Sequence, residues 1–287
     1  MSLKSLWLWL GGGMLIALLL HLNVSSQTTE LQYRTYDLPQ ALIHTLLIPR
    51  TSNFVVTVAQ TETLATVAEF AEQYGAIASL NGGFFDPHNQ LSTSYLVQNG
   101  RVIATPQDNP RLVGNPDLKP YLPQIFNRSE FRRYQCFTGT RYALTQRSDP
   151  IPTGCMLVDA LGAGPRLLPE NTSTTEAFLA YAEGKLIRDA LGSKQKNART
   201  AIALTPEGDV LWIMVAQKST PSGDSGLSLE QLAAFCRSLG VKAALNLDGG
   251  SSSSLYWEGK TYYGKVSRPV KSVLLLRNCQ CDRFRRV

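Results

Sequence analysis

The chain has 287 residues, of which 44% are hydrophobic and 17% are charged, a balance typical of a folded protein with a full core. Its formal net charge of +6 is the difference between 28 basic and 22 acidic residues and gives only a weak preference for anionic partners. The sequence has no nucleic-acid-binding motif and no basic stripe interleaved with aromatic residues. We therefore exclude nucleic acid as a predicted partner.

A nearly uncharged run from Leu6 to Val24 follows Lys4 at the start of the chain. About 19 apolar residues are enough to span a bilayer, and a single basic residue before them keeps the N-terminus cytoplasmic. We predict a signal peptide or a signal anchor over residues 1–26, then a polar linker over 27–39. The rest of the chain is then exported, either to the periplasm, to the outside of the cell, or facing outward from a membrane anchor.

Five cysteines are consistent with export, because disulfides form in oxidising compartments. Cys136 and Cys155 bracket a loop-rich stretch and are the predicted disulfide. Cys279 and Cys281 are too close in sequence to pair easily, and either one could reach Cys236. One thiol is left over in every pairing.

The first elements after the linker are two predicted strands and a helix. Residues 43–48 and 54–59 are rich in β-branched side chains and are separated by a polar turn. Residues 67–74 have apolar side chains at helical spacing, and Gly75 is the predicted C-cap. A short buried strand then leads into Asn81-Gly82-Gly83.

The middle of the chain is less regular. Residues 95–103 have an Asn-Gly pair between two apolar runs, which predicts a tight β-hairpin. Over 105–152 prolines are frequent and periodicity is weak, so we predict a loop-rich insertion that covers one face of the domain. A strand resumes at 156–160, and residues 199–204 and 210–215 predict another hairpin.

A second helix is predicted to begin at Ser228, with a capping box completed three residues later by a glutamine. It ends at Gly240 and leads through an apolar strand to Asn246. This order repeats that of the first helix, and each asparagine lies six residues after its glycine. The repetition predicts two units side by side that bring Asn81 and Asn246 into one pocket.

Together these elements predict a single α+β domain over residues 40–278, with a mixed β-sheet and few helices. The last strands are predicted at 255–257, 260–263 and 270–276. Residues 279–287 are a predicted basic tail.

Asn81-Gly82-Gly83-Phe84-Phe85 and the stretch from Leu245 to Ser252 resemble the two signature segments of the phosphodiester glycosidase family. Residues 163–168 and 198–203 resemble two further segments of that family, in the expected order. The resemblance covers residues 40 to 277, and four ordered motifs are far more specific than one. Ser251 is a departure, because the family often has a third glycine there and a Cβ narrows the turn.

The resemblance implies hydrolysis of a glycosyl-1-phosphodiester in cell-envelope or extracellular glycans, where bacterial relatives are often labelled exopolysaccharide biosynthesis proteins. Cleavage at the anomeric carbon requires a carboxylate near the developing positive charge and cations on the phosphate. Asp248 is the predicted carboxylate, as nucleophile or general base, and Asp86 and Asp224 are alternatives. Arg166 and Arg199 are the predicted phosphate ligands, because arginine binds phosphate through two parallel hydrogen bonds.

The other predicted contacts surround the same two turns. Asn81 and Asn246 are predicted to bind sugar hydroxyls, and the backbone amides of the glycine pairs to bind phosphate oxygens. The remaining candidates for substrate contact are Gly82, Gly83, Phe85, Thr200, Gly249, Gly250 and Ser251. No metal or cofactor is predicted, because no calcium-loop or dinucleotide-binding spacing occurs, although a cation held by Asp86, Asp248 or Asn246 stays open. The predicted partners are a carbohydrate phosphodiester and, if the leader is not cleaved, a membrane.

Other interpretations stay open at the level of sequence. Asp248 could only cap its turn, and each arginine could pair with a structural carboxylate. A non-catalytic module that binds cell-wall or exopolysaccharide glycan would need Asn81 and Asn246 but not Asp248. A serine run follows the second glycine pair, but His44 and His88 give little support for a Ser-His-Asp triad.

Overall fold

Strands make up most of the regular structure in the computed structural model, which describes residues 29–219 and 224–279. The strands are β1 (Gln32–Leu38), β2 (Ala41–Ile48), β3 (Phe54–Ala65), β4 (Ala78–Asn81), β5 (Leu96–Gln98), β6 (Arg101–Ala104), β7 (Ser129–Cys136), β8 (Gly139–Gln146), β9 (Cys155–Gly162), β10 (Arg166–Leu168), β11 (Leu179–Ala182), β12 (Lys185–Asp189), β13 (Arg199–Leu204), β14 (Val210–Gln217), β15 (Ala243–Asn246), β16 (Ser254–Trp257), β17 (Lys260–Tyr263) and β18 (Val270–Asn278). The helices are α1 (Val67–Tyr74), α2 (Pro110–Val113), α3 (Leu122–Phe126) and α4 (Leu229–Ser238), with 3-10 turns at Pro106–Asp108, Lys119–Tyr121 and Gly250–Ser252.

Three sheets and one separate hairpin contain these strands. The first sheet has the order β1-β2-β14-β13-β15-β10, the second β17-β16-β4-β18-β3 and the third β6-β5-β9-β7-β8, while β11 pairs only with β12. The few helices agree with the predicted α+β class, although strands dominate the domain. One hydrophobic core joins the three sheets, with contributions that include Trp212 and Leu245 from the first, Leu80 and Leu274 from the second, and Phe131 from the third.

Every strand pair in the described part of the chain is antiparallel, so the predicted mixed sheet is wrong. The two longer helices do connect strands that run in the same direction: α1 joins β3 to β4, and α4 joins β14 to β15. In each case a third strand lies between the two and is antiparallel to both, β18 in the second sheet and β13 in the first. The helical crossovers therefore create no parallel neighbours.

The two longer helices cover the outer faces of two sheets. Helix α1 packs Phe70 on the second sheet, and α4 packs Leu232 on the first. The predicted capping box at Ser228 is confirmed. Gly75 and Gly240 both adopt left-handed backbone angles after their helices, with φ of +61° and +72°, as a glycine C-terminal signal requires.

The predicted hairpins are also confirmed. Between β5 and β6, Asn99 and Gly100 have φ of +50° and +77°, the angles that a two-residue type I′ turn needs. Strands β13 and β14 pair as predicted, and so do β16 and β17. Local turn chemistry was therefore sufficient to locate these pairs.

Two segments are more regular than predicted. The linker over 27–39 contains β1, which pairs with β2. The loop-rich insertion over 105–152 contains β7 and β8, two eight-residue strands of the third sheet. The prediction failed for β7 because buried charges hide its pattern: Arg132 Nε donates to Glu130 (2.5 Å) and Arg133 Nε donates to Asp159 (2.6 Å). A strand whose charges are paired inside the protein looks like a polar loop in the sequence.

The predicted disulfide is confirmed, since Cys136 and Cys155 lie opposite each other on β7 and β9 and are bonded. Cys236 is a buried free thiol on α4. Over 29–219 and 224–279, no helix has the length and apolar character to cross a membrane. The predicted leader over 1–26, Cys281 and all of the predicted basic tail beyond Cys279 lie outside the described residues.

Candidate active site

The two glycine turns of the sequence meet where β4 of the second sheet and β15 of the first sheet end. The Asp248 amide donates to the Gly82 carbonyl (3.0 Å), and Asn81 Nδ2 donates to the Asp248 carbonyl (2.7 Å). The two strands do not lie side by side as predicted, because they belong to different sheets. The hydrogen bonds nevertheless bring the two turns together across the edge between the sheets.

Asn81 is the centre of this junction. Its Oδ1 accepts hydrogen bonds from the Thr200 hydroxyl (2.8 Å) and from the Ser254 amide (3.0 Å), and the side chains of Asn81 and Thr200 are fully buried. Both residues were expected to contact substrate. They instead join three segments inside the protein, and this corrects the expectation for both.

The backbone amides of the glycine pairs, which are predicted to bind phosphate oxygens, also form hydrogen bonds within the protein. Their acceptors are Ser272 O for Gly82 (2.8 Å), Ser272 Oγ for Gly83 (3.1 Å), Asp248 Oδ1 for Gly249 (3.0 Å) and Ala198 O for Gly250 (2.8 Å). A buried amide that already has an acceptor gains little from a second one. The glycines shape the turns in this structure, and their binding of an anion stays a prediction.

The first glycine pair is needed for close packing. A Cβ on Gly82 would lie 2.8 Å from the Ser272 carbonyl oxygen, and one on Gly83 would lie 2.6 Å from the Gly162 carbonyl oxygen. Both contacts are far below van der Waals distance and involve backbone atoms that cannot rotate away. The sequence signal Gly-Gly therefore reports a crowded junction here and not a ligand cradle.

The predicted phosphate ligand Arg199 is buried and occupied. Its guanidinium donates to the carbonyls of Leu227 (3.1 Å), Leu191 (3.1 Å), Gly192 (2.8 Å) and Gln195 (2.8 Å). Burial lowers the pKa of Arg199 to about 10. Because the guanidinium already donates to four carbonyls, it has no pair of N–H groups left for a phosphate. Arg199 positions the 191–195 loop instead.

Arg166 and Asn246 are the next two predicted substrate ligands. Asn246 Nδ2 donates to the Gly164 carbonyl (2.8 Å) and the residue is 2% exposed, so it does not face a sugar as expected. Its Oδ1 is buried and has no hydrogen-bond partner among the described residues, and the same holds for Nε of the half-buried Arg166. The asparagines of the two turns therefore serve different internal contacts.

Asp248 is the carboxylate at this junction. Its side chain is half-buried, and Oδ1 accepts from the Gly249 amide (3.0 Å). Burial raises the pKa of Asp248 from its ordinary 3.8 to about 6, while hydrogen bonds from Ser252 and the Gly249 amide and the charge of Arg268 act in the opposite direction. A carboxylate with a pKa near the working pH suits a nucleophile or a general base.

Arg268 is the cation next to this carboxylate, and sequence reasoning missed it. It is half-buried, its Nη1 donates to Ser251 Oγ (2.8 Å), and its Cζ lies 5.8 Å from the centroid of the Phe85 ring. Neither periodicity nor spacing marks it, because it sits in an irregular segment just before Pro269. Only its position ahead of the final strand, which pairs with β4, could have indicated it.

The alternative carboxylates are engaged elsewhere. Asp86 accepts from the His88 amide (2.8 Å) and from Arg111 Nε (2.7 Å); although partial burial acts in the opposite direction, these contacts lower its pKa. Asp224 is exposed and pairs with Lys196 (2.6 Å). Neither replaces Asp248 as the carboxylate at the junction.

A large cavity in the described part of the chain does not coincide with this junction. It has a volume of about 1210 Å³ and is lined by residues of the third sheet and of the end of β18, among them Arg101 and Met156. A small enclosed cavity of about 10 Å³ lies beside Phe84. The candidate site is therefore defined by the convergence of the two turns and by the partly exposed pair Asp248 and Arg268.

The two glycine turns thus bring a carboxylate and a cation together at a junction between two antiparallel sheets. The family model for phosphodiester glycosidase matches residues 74–277. The chain belongs to the phosphodiester glycosidase family, as its four motifs indicated. No curated protein matches the chain.

Several solved structures share the fold. The catalytic domain of zebrafish N-acetylglucosamine-1-phosphodiester α-N-acetylglucosaminidase, auto-inhibited by its pro-peptide, is similar with a TM-score of 0.62 and 16% identity, over 88% of this chain and 85% of that one. A hypothetical protein from Synechocystis has a TM-score of 0.57 at 18% identity, over 86% and 61% of the two chains. A protein described as exported from Burkholderia pseudomallei K96243 has a TM-score of 0.53 at 16% identity, over 82% and 74%. At these identities the likenesses establish the fold.

Proposed function

We propose that this chain hydrolyses glycosyl-1-phosphodiesters by cleaving the bond between the anomeric carbon and the phosphate oxygen. The single observation that carries the proposal is the position of Asp248. It is a half-buried carboxylate at the meeting point of both family turns, with a cation nearby. Family membership supports the reaction class, and the zebrafish structure, named for an N-acetylglucosamine-1-phosphodiester, supports the kind of bond.

The chemistry requires little beyond these groups. Water adds to the anomeric carbon, the carbon–oxygen bond breaks, and its electron pair leaves with the phosphate as a phosphomonoester. The leaving group is already a stable anion, so a strong general acid is less necessary than in ordinary glycosidases. Asp248 acts as the nucleophile or as the base that takes the proton of water, and with a pKa of about 6 it is mostly ionised at neutral pH.

The proposed substrates are phosphodiester-linked glycans of the cell envelope or the extracellular space. The predicted leader supports export, and so do the disulfide and the likeness to an exported protein. Contact with a membrane is part of the proposal only if the leader is retained.

The alternative of a non-catalytic glycan-binding module depends on Asn81 and Asn246 as ligand contacts. Both side chains are buried and bonded within the protein. No observation favours this alternative over hydrolysis.

The proposal is tested by incubating the protein with a panel of glycosyl-1-phosphodiesters and measuring the release of free sugar and phosphomonoester. We expect release from at least one member by the wild type and none above background by Asp248→Asn. Asp224→Asn is the matched control, because it removes an exposed carboxylate that lies outside the junction. A wild type inactive on the whole panel would refute the proposal.

A further inference from the structure

The substrate of the proposed reaction carries a negative charge, and one of the two arginines predicted to receive it, Arg199, is committed elsewhere. Arg199 binds four backbone carbonyls, and Nε of Arg166 is buried. Burying a phosphate without a cation or several donors is costly. A second positive group near Asp248 would stabilise this charge.

Arg268 has the required position. Its hydrogen bond to Ser251 places it against the 3-10 turn Gly250–Ser252, which directly follows Asp248 and Gly249. The Phe85 ring at 5.8 Å is within cation–π distance and limits where the guanidinium can lie. The arginine is thus held by both family turns, through Ser251 of the second and Phe85 of the first.

The positive charge of Arg268 is also not neutralised by a carboxylate of the described residues. No carboxylate among residues 29–219 and 224–279 lies within 4.0 Å of its guanidinium, and the one hydrogen bond of its side chain uses a single nitrogen. Asp248 is close enough to experience the positive charge but does not form an ion pair with it. Arg268 therefore keeps its positive charge beside the turn that carries Asp248.

We propose that Arg268, supported by Ser251 and Phe85, forms the subsite for the phosphate of the diester. This inference rests on the proposed function of the site. It gives Phe85 and Ser251 a supporting role in place of the direct substrate contacts expected from sequence. An arginine fork matches two phosphate oxygens and stabilises the charge that develops on the leaving group.

The subsite is tested first by binding, with dimethyl phosphate as a diester that carries no sugar. NMR titration, which measures millimolar affinities, gives the dissociation constant for the wild type and for Arg268→Ala. We expect Arg268→Ala to weaken binding by about tenfold or more, because a charge-assisted fork is lost. Lys265→Ala, which removes an exposed cation of the same segment, should change binding by less than about twofold. Absence of binding to the wild type, or equal binding by Arg268→Ala, overturns the proposal.

A second variant distinguishes binding of the phosphate by Arg268 from support of the turn by Arg268. Ser251→Ala removes the hydrogen bond to Arg268 but leaves the guanidinium in the protein. If Arg268 only supports the turn, Ser251→Ala reproduces the whole loss of affinity and the subsite is refuted. If Arg268 binds the phosphate, Ser251→Ala has a clearly smaller effect, and Arg268→Lys restores part of the affinity but not all of it.

Turnover distinguishes this inference from the proposed function. If binding of dimethyl phosphate depends on Arg268 but no diester is hydrolysed, the subsite stands and the hydrolase proposal fails. If wild type and Arg268→Ala release sugar with the same kcat/KM, the hydrolase proposal stands and the subsite fails.

Discussion

The two turns of the site share one sequence pattern and one topology, but they differ in burial. Each has a helix, a left-handed glycine, a short strand that ends in asparagine, and a glycine pair. Each also has the same topology, a helical crossover past one intervening strand. Yet Asn81, Gly82 and Gly83 are buried, whereas the turn from Asp248 to Ser251 is half-exposed.

Two extra residues explain the difference. In the first turn the glycine pair follows Asn81 directly, and in the second turn Leu247 and Asp248 come between Asn246 and the pair. Leu247 is fully buried and fixes the chain in the core, so that the next residue emerges beside the junction. The comparison teaches that the first turn is the support and the second turn carries the reacting group.

The largest effect that tests this division is on turnover. Asp248→Asn keeps the size of the side chain but removes the negative charge that the transition state requires. We expect kcat to fall by about 10³-fold, with a much smaller change in KM. Steady-state kinetics on an active diester measures this, with Asp224→Asn as the control. Equal kcat values for Asp248→Asn and wild type would remove the reacting role from the second turn.

A substitution in the first turn should lower the stability of the fold. Asn81→Ala deletes three hydrogen bonds of a buried side chain, to Thr200, Ser254 and the Asp248 carbonyl. We expect the free energy of unfolding to drop by about 3 kcal/mol or more, because the partners stay buried. Asn246→Ala deletes one such bond and should cost about 1 kcal/mol. Urea denaturation measures both, and equal losses would contradict the assigned support role of Asn81.

The glycine pairs give a smaller contrast. Gly82→Ala places a Cβ 2.8 Å from the Ser272 carbonyl oxygen, while Gly249→Ala meets its nearest atom, the Ala198 carbonyl oxygen, at 3.2 Å. We expect a loss of about 2–3 kcal/mol for Gly82→Ala and less than about 1 kcal/mol for Gly249→Ala. Thermal unfolding of the two variants tests the order, and a reversed order would refute the assignment of the tighter packing to the first turn.

A substitution in the second turn should have the opposite effect on stability, and this effect should depend on pH. Burial raises the pKa of Asp248 from 3.8 to about 6, so the folded chain holds this proton more tightly than the unfolded chain. The contribution of Asp248 to stability is therefore most favourable below pH 4 and declines as the pH rises to 6. Asp248→Asn should be more stable than wild type by roughly 2 kcal/mol at pH 7 and similar to it near pH 3. Unfolding at both pH values tests this, and a less stable variant at pH 7 would show that the carboxylate is not strained by burial.

Local chemistry determined a large part of this protein. The Asn99-Gly100 hairpin, the capping box at Ser228 and the glycine C-terminal signals depend on residues close in sequence, so they could be predicted correctly. The motif around Asp248 is also contiguous, so the sequence alone could nominate this residue, and its role as the catalytic carboxylate stays a prediction. The disulfide of Cys136 was also predictable, since few pairings were open.

Tertiary structure decided the rest, because long-range hydrogen bonds are not written in local patterns. The intervening strands β13 and β18 turned a predicted mixed sheet into antiparallel sheets, and ion pairs buried on β7 concealed a strand. Arg199 looked like a phosphate ligand, but in the fold its guanidinium is surrounded by three carbonyls of the 191–195 loop and by the carbonyl of Leu227. Arg268 looked like a loop cation, yet the pairing of β18 with β4 carries it to the junction. Residue type and spacing select which side chains could react, but only the folded surroundings determine which charges remain available.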